Sequence, residues 1–315
     1  MGALEKLAVV GAGSVGAAVA YAATIDRVAD EIALYDRDGA RAEAEALDLS
    51  HGLQFVGGGR VTGGDDIEVC RGADLVVVTA GAAQRPGDSR LDLAAANVAM
   101  VRQLLPGLLE VAPEAIYLFV TNPVDIVTFV AQEVSGLPRG RVLGSGTVLD
   151  SSRLRHVLAE RLGLSVTSIH ALVVGEHGDS EIVVWSTATV AGTPLLDVVG
   201  PDGRRIRFED LDAIHREVRG AAGRIIAGKG NTNLAIGLAT GRIVRAISGD
   251  EHAVLPVSVR RTLGGREVCL SVPSVVGRRG VLATMPLTLT PAEQDGLAAS
   301  AAALGRVLDE VWPRA

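Results

Sequence analysis

The run Leu7-Ala8-Val9-Val10-Gly11-Ala12-Gly13-Ser14-Val15-Gly16 decides the fold. Four consecutive apolar residues read as a strand buried on both faces. They lead directly into a G-x-G-x-x-G turn, and Val15 to Ala23 then reads as an alanine-rich helix. Glycines here permit a tight bend and a close approach to a pyrophosphate, and a helix N-terminus offers that anion free N–H groups and a favourable dipole. With 38 glycines in 315 residues the triplet alone is a weak signal. Its context strengthens it: Ile32-Ala33-Leu34-Tyr35 reads as a second strand, ended by Asp36, 20 residues after Gly16, where a carboxylate binds a ribose diol. Asp36 also repels a 2′-phosphate, which favours NAD over NADP, although Arg37 and Arg41 stand nearby. Taken alone, an aspartate at a strand end is an ordinary turn former.

Outward from this turn the alternation continues. Arg41 to Leu49 reads as a helix, Leu75 to Val78 as a strand, Leu91 to Val111 as a long helix, Ile116 to Val120 as a strand, Val124 to Val134 as a helix, and Val142-Leu143 as a short strand. Apolar strands spaced by helices predict an α/β, doubly wound parallel sheet of Rossmann type. After Gly146 the pattern changes. Helices are expected at Leu149 to Leu162, Leu211 to Ala227, Asn233 to Ile247 and Ala292 to Val311, the last with Pro291 near its first turn. Strands are expected at Ile169 to Val174, Ile182 to Val190, Leu255 to Val259 and Val268 to Val272. The expected division is a nucleotide-binding domain over 1–147 and an α+β substrate domain over 148–315, with the ligand between them.

Composition narrows the function. Hydrophobic residues make up 48% of the chain and the formal charge is −7, so it is globular and has no overall basic footprint for nucleic acid or an anionic membrane. Aromatics at 3% argue against base-stacking platforms. The most apolar windows, such as Ala115 to Ala131, are broken by Asn122, Pro123 and Asp125, and the first residues run straight into a strand without a signal-peptide pattern. Cys70 and Cys269 lie far apart with no metal-ligand spacing around either, so buried thiols in a reducing cytoplasm are expected, with no metal.

Several polar residues fall where strands end, at the ligand edge of such a sheet. The segment Thr79 to Arg90 leaves one strand as a long polar loop, a mobile lid or a plain solvated connection. Asn122 closes the next strand in Thr121-Asn122-Pro123-Val124-Asp125, as a ligand contact or a helix cap. Asp150 and Arg153 share one helix face, a spacing whose usual outcome is a surface ion pair. Glu176-His177-Gly178-Asp179 delivers a histidine at a strand end, and neither His170 nor His177 has neighbours suited to a metal.

The ensemble resembles the L-lactate/malate dehydrogenase family over nearly its whole length, the bacterial L-lactate dehydrogenases above all. GAGSVG, GAAQRPGDSRLDL, TNPVD, GSGTVLDSSRLR, GEHGDSE and KGNTNLAIG stand in the family's order and approximate spacing. The resemblance implies an NAD-dependent enzyme in which His177 exchanges the proton, a task suited to a group titrating near neutrality. Asp150 is implied as the carboxylate that orients it, with Asp179 the sequence-near competitor. Arg153 is implied as the substrate-carboxylate clamp and Arg90 as the lid arginine that polarises the ketone. Asn122 and Thr232 fall on the substrate side. Ile236 is implied as the apolar wall against the nicotinamide, and further cofactor positions at Gly11, Gly13, Val15, Gly16, Asp36, Arg41, Gly81, Ala82, Val120, Asn122 and Ser145.

Substrate choice turns on Gln84. Malate enzymes of the family carry arginine there, facing a second carboxylate. A neutral glutamine leaves that charge unpaired, so pyruvate and L-lactate are expected. Malate remains the alternative if the loop closes one residue out of register and Arg85 reaches the pocket, as do other small 2-hydroxy acids. A non-catalytic NAD-binding protein is the alternative of another class, opposed by the presence of His177, Asp150, Arg90 and Arg153. Arg155 lies two residues beyond Arg153, about 200° round the helix and away from its catalytic face. Arg155 and His170 match positions that bind fructose 1,6-bisphosphate in allosteric, tetrameric bacterial relatives. Otherwise Arg155 is a solvated helix arginine and His170 a core histidine.

Overall fold

Strands too apolar to face water build the centre of the molecule, and helices cover both faces. The computed structural model describes residues 4–82 and 89–313. β1 (Leu4–Val10), α1 (Ser14–Asp26), β2 (Ala29–Tyr35), α2 (Gly39–Gly52), β3 (Arg60–Gly64), β4 (Leu75–Val78), α3 (Arg90–Val111), β5 (Ile116–Phe119), α4 (Val124–Ser135) and β6 (Val142–Gly144) form the doubly wound unit. After α5 (Val148–Leu162) come five two-residue strands, β7 (Ile169–His170), β8 (Val173–Val174), β9 (Ile182–Val183), β10 (Thr189–Val190) and β11 (Thr193–Pro194). Then follow α6 (Leu211–Lys229), α7 (Leu234–Ser248), β12 (Ala253–Leu263), β13 (Arg266–Gly277), β14 (Gly280–Thr284) and α8 (Pro291–Val311).

Leu7, Ala8, Val9 and Val10 of β1 and every residue of β4 and β5 are buried. Each large apolar side chain removed from water is worth about 1.5–3 kcal/mol, which fixes these strands at the centre. The sheet order is β14-β13-β12-β6-β5-β4-β1-β2-β3, parallel from β6 to β3 and antiparallel from β6 to β14.

Three features differ from the sequence expectation. The late antiparallel strands, expected within the second domain, extend the sheet of the first. The join is Ser258 of β12 opposite Gly144 of β6, where a Cβ on Gly144 would stand 2.9 Å from the Ser258 Cβ. The second difference is that neither Ile169–Val174 nor Ile182–Val190 is one strand. β7 pairs with β10, β8 pairs with β9, and the turn Trp185–Thr187 interrupts the second stretch. The first turns of α5 impose this change of partner: Ser151 Oγ accepts the Val173 N–H at 2.9 Å and Thr147 Oγ1 donates to the Val173 carbonyl at 2.5 Å. β3 and β14 were not expected. β3 reads Arg-Val-Thr-Gly-Gly, with no apolar run, because α2 crosses so closely that a Cβ on Gly63 would meet the Ala42 carbonyl oxygen at 2.2 Å.

Candidate active site

The glycine turn comes first along the chain. Gly11 has φ +103°, and a Cβ there would sit 2.6 Å from the Ala80 nitrogen. A Cβ on Gly16 would sit 1.8 Å from the Gly11 oxygen, so these two glycines let β1, α1 and the end of β4 touch. Gly13 has nothing within 4 Å of its absent Cβ, and its open side lines a cleft of about 1640 Å³. Asp36, Arg41, Gly81 and Ala82 line the same cleft, with Met100 and Leu104 of α3 on its other wall. Asp36 accepts the Ala12 N–H at 2.7 Å through Oδ2 and the Asp38 N–H at 3.0 Å through Oδ1. Each oxygen keeps a second acceptor position, so a carboxylate fixed by backbone remains able to take ribose hydroxyls. A roomy cleft with an open N-terminal helix turn and a pinned carboxylate fits an adenine dinucleotide.

Buried Asn97, not singled out in the sequence, fastens the ligand edge. Its Oδ1 accepts the Ala82 N–H and its Nδ2 donates to the Asn122 carbonyl, both at 2.7 Å. Asn122 itself is exposed, and α4 is capped by Pro123 without a side-chain bond, so its amide is not spent on a helix cap. Val120 and Ser145 are buried at the ends of β5 and β6. Val15 lies in the first turn of α1. Half-buried Ile236 arrives from α7, which packs on α1 so closely that a Cβ on Gly237 would meet the Ala18 Cβ at 2.8 Å. Thr232 lies half-buried between α6 and α7. Gln84 and Arg85 lie outside the described residues.

The second site is a cluster of charges. His177 Nδ1 stands 2.6 Å from Asp150 Oδ2, and Arg153 Nη1 donates to Asp150 Oδ1 at 2.8 Å. The Asp150 side chain is 3% exposed and that of Arg153 14%, so this is no surface ion pair. Asp150 sits in the first turn of α5, where the helix dipole favours an anion. Asp179, the alternative partner for His177, instead pairs with Arg90 at 3.0 Å on the surface. Arg90 is the first residue of α3, behind a capping box formed by Ser89 and Asp92.

The loop bearing His177 is held through its backbone. Gly175 bridges to Ser271 of β13, and the Glu176 N–H donates to Ser300 Oγ at 2.8 Å. The His177 N–H donates to Asp125 Oδ2 at 2.7 Å, and Ser258 Oγ donates to Asp125 Oδ1 at 2.5 Å. Asp125 was quoted in the sequence only as part of a motif. Its signal was there: one acid in an otherwise apolar, buried stretch of α4.

Burial sets the electrostatics, and the charges then compete with it. Desolvation pushes the Asp125 carboxyl up to about 7, against the pull of the Ser258 and His177 hydrogen bonds. Burial acts the same way on Asp150, but the charge and hydrogen bond of His177, and then those of Arg153, outweigh it and hold the carboxyl below its usual range. For His177 burial favours the neutral ring. The charge and hydrogen bond of Asp150, with the charges of Asp125 and Glu181, reverse this and push the imidazole up to about 9. The arrangement therefore presents a proton on a ring held by a carboxylate, beside a guanidinium with N–H groups to spare.

Arg155 and His170 lie away from this cluster. Arg155 is half-buried, with Nε donating to the Ala171 carbonyl at 2.9 Å, and His170 is exposed in β7. Neither the solvated arginine nor the core histidine describes them. Both cysteines are buried and free. Among the described residues no helix is long and apolar enough to cross a membrane.

Comparison with known proteins adds the following. The pattern of the lactate/malate dehydrogenase NAD binding domain matches residues 5–144, and that of the family's alpha/beta C-terminal domain matches residues 147–313. The chain is 47% identical over 302 residues to the L-lactate dehydrogenase of Bifidobacterium animalis subsp. lactis (strain AD011), covering 95% of this chain and 94% of that one. It is 46% identical over 308 residues to the L-lactate dehydrogenase of Synechococcus sp. (strain JA-3-3Ab), covering 97% and 99%. The crystal structure of the minor L-lactate dehydrogenase from Enterococcus mundtii, in a ligands-bound form, superposes with a TM-score of 0.93 at 39% identity, covering 98% of this chain and 99% of that one.

Proposed function

The chain belongs to the lactate/malate dehydrogenase family, and from that premise we propose that it is an NAD-dependent L-lactate dehydrogenase interconverting pyruvate and L-lactate. The observation that carries this reading is the His177–Asp150–Arg153 cluster, built on a buried Asp150, in a chain whose glycine turn and Asp36 line an open cleft. The glycine turn and Asp36 would hold NADH, which would supply a hydride to the keto carbon of pyruvate. His177 supplies the proton to the keto oxygen, and in lactate oxidation it takes that proton back. Asp150 holds the ring in place and stabilises its charged form. Arg153 keeps donors beyond the one on Asp150 for the substrate carboxylate, in the paired geometry that guanidinium favours. Arg90, on leaving Asp179, reaches the developing charge on the keto oxygen. Asn122 and Thr232 are the further substrate-side residues of this reading, in which residues 1–147 hold the cofactor and 148–315 supply His177, Asp150 and Arg153.

Gln84 supports pyruvate over oxaloacetate, since a second carboxylate would find no cationic partner there. The test is NADH oxidation with each acid. The expected result is kcat/KM for pyruvate well above that for oxaloacetate, with Gln84→Arg moving the preference toward oxaloacetate. Equal or greater wild-type activity on oxaloacetate overturns the lactate reading in favour of malate. No turnover of any small 2-oxo acid leaves a non-catalytic NAD-binding protein.

The same reading extends to assembly and place. Tyr21 and Phe55 are 60% and 81% exposed, and Leu234 and Leu238 stand exposed on α7, apolar surface that a homotetramer would cover. Arg155 is bonded to the carbonyl beside exposed His170, which supports a shared anion site for fructose 1,6-bisphosphate. Lower pyruvate KM with the bisphosphate, and loss of that response in Arg155→Ala, test it. Two free, buried thiols suit the cytoplasm, where pyruvate reduction serves glycolysis and fermentation.

A further inference from the structure

Between the catalytic loop and α6, two buried polar atoms have no hydrogen-bond partner among the described residues: Oε1 of Glu181 and Nε2 of His215. They face each other at 3.7 Å, with the Glu181 side chain only 2% exposed. Buried orphans of this kind are rare because they forfeit hydration without compensation. The groups around Glu181 are Asp150 and Arg153 from α5, His177 from its own loop, and Arg219 and His215 from α6. Arg219 is fastened to the loop through the Asp179 carbonyl at 2.9 Å, and Asp212 faces His215 from the same helix. The Glu181 N–H donates to the Gly178 carbonyl at 3.3 Å, which ties this pair to the loop that carries His177.

Resting on the dehydrogenase reading, we propose that Glu181 is a positioning residue which, paired with His215, supplies a buried negative charge that keeps the His177 imidazole protonated as the solution turns alkaline. Burial first, and then the charge of Asp150, push the Glu181 carboxyl up to about 8, so its charge arrives on the alkaline side of neutrality. Its new charge lies where water screens poorly, and it favours the charged ring. Burial and the charge of Arg219 favour the neutral His215 ring, outweighing the charge of Asp212 and the Glu181 backbone. A neutral imidazole accepts or donates at Nε2 according to its tautomer. It can serve Glu181 in either protonation state once the gap closes by about 0.8 Å to hydrogen-bond distance.

The test is a pH titration of His177, followed by NMR in histidine-labelled wild type and Glu181→Gln, with the signal assigned by its loss in His177→Asn. Glutamine keeps the shape and removes the ionisation. The His177 midpoint should move toward acid by roughly half a pH unit or more, and the alkaline limb of kcat/KM for pyruvate should move with it. His215→Phe should give a smaller shift of the same sign, and no further shift when added to Glu181→Gln. An unmoved His177 midpoint in Glu181→Gln overturns the proposal, as do shifts that simply add in the double variant. If Glu181→Gln does not fold, an unmoved midpoint in His215→Phe has the same force. The NMR reading needs no turnover, so a wild type inactive on pyruvate counts against the dehydrogenase reading alone.

Discussion

At the nucleotide cleft the backbone makes the site, through Gly11, Gly13 and Gly16 and a single carboxylate pinned by two N–H groups. At the His177 cluster side chains make it: Asp125, Asp150 and Glu181 are all buried near one imidazole. The first site depends on atoms that are absent, and its weakness is steric. The second depends on charges removed from water, and its weakness is the loss or misplacement of a charge. One molecule therefore carries two sites that should fail in different ways, and substitutions in each separate them.

The largest effect is expected from His177→Asn. Asparagine keeps polarity and approximate size but exchanges no proton, so kcat should fall by about 10²–10⁴-fold. NADH affinity, measured by fluorescence titration, should stay close to wild type because the cleft is built by other residues. The wild-type pH profile follows from the raised imidazole. Pyruvate reduction uses the protonated ring, so kcat/KM should decline as pH rises through about 9, and lactate oxidation should gain over the same range. The linked stability has the same sign. It is fully present below the ordinary imidazole value of about 6.5 and is lost as pH passes the folded value, a loss His177→Asn should abolish. Wild-type turnover in the variant would end the acid–base assignment.

Gly16→Ala tests the other site. Its Cβ would sit 1.8 Å from the Gly11 oxygen, inside the turn itself. Overpacking of this kind costs about 1–3 kcal/mol or more, so both thermal stability and NADH affinity should fall. Gly13→Ala is the control. Its φ of −74° suits any residue and its Cβ meets no protein atom, so it should fold normally and lose only NADH affinity. In both variants the His177 titration should be unchanged. A shifted titration would show that the two sites are not as separate as their construction suggests.

The same contrast explains what could be read from the sequence. Gly11 to Asp36 span 26 residues, and their local geometry follows from residue type, so the cleft was legible at once. The parallel strands were legible because burial on both faces leaves an unbroken apolar run. β3 was not, since it carries glycines where α2 crosses it. Asp150, Arg153 and His177 were named from their match to a family pattern, but their burial and their bonding to one another were not visible in their spacing. The Asp125 anchor joins residues 52 and 133 positions away, and only the addition of β12 to the β6 edge brings Ser258 to it. Glu181 stood in the sequence only as the last residue of GEHGDSE, and nothing paired it with His215 on a separate helix.

The smallest effect is expected at Asp179. Sequence proximity made it a rival to Asp150 as the partner of His177, and the two roles predict very different outcomes. Asp179 is paired with Arg90 at 3.0 Å, with the two side chains 72% and 65% exposed. Exposed pairs of this kind contribute about 0–1 kcal/mol, so Asp179→Asn should move Tm by no more than a few degrees. Its kinetic effect should be equally modest and of a particular sign. While Arg90 rests on Asp179 it is not on the substrate, so removing the charge should lower the pyruvate KM, by at most about fivefold for 1 kcal/mol. The asparagine amide still leaves the Asp179 backbone carbonyl for Arg219, so the loop keeps its tie to α6. Steady-state kinetics beside Asp150→Asn decide the matter. Asp150→Asn removes the buried charge that holds the imidazolium, and its kcat should fall by orders of magnitude. If Asp179→Asn lost activity on that scale, an exposed carboxylate would be sustaining the proton transfer, and the division between a solvated lid contact and a buried charge cluster would have to be redrawn.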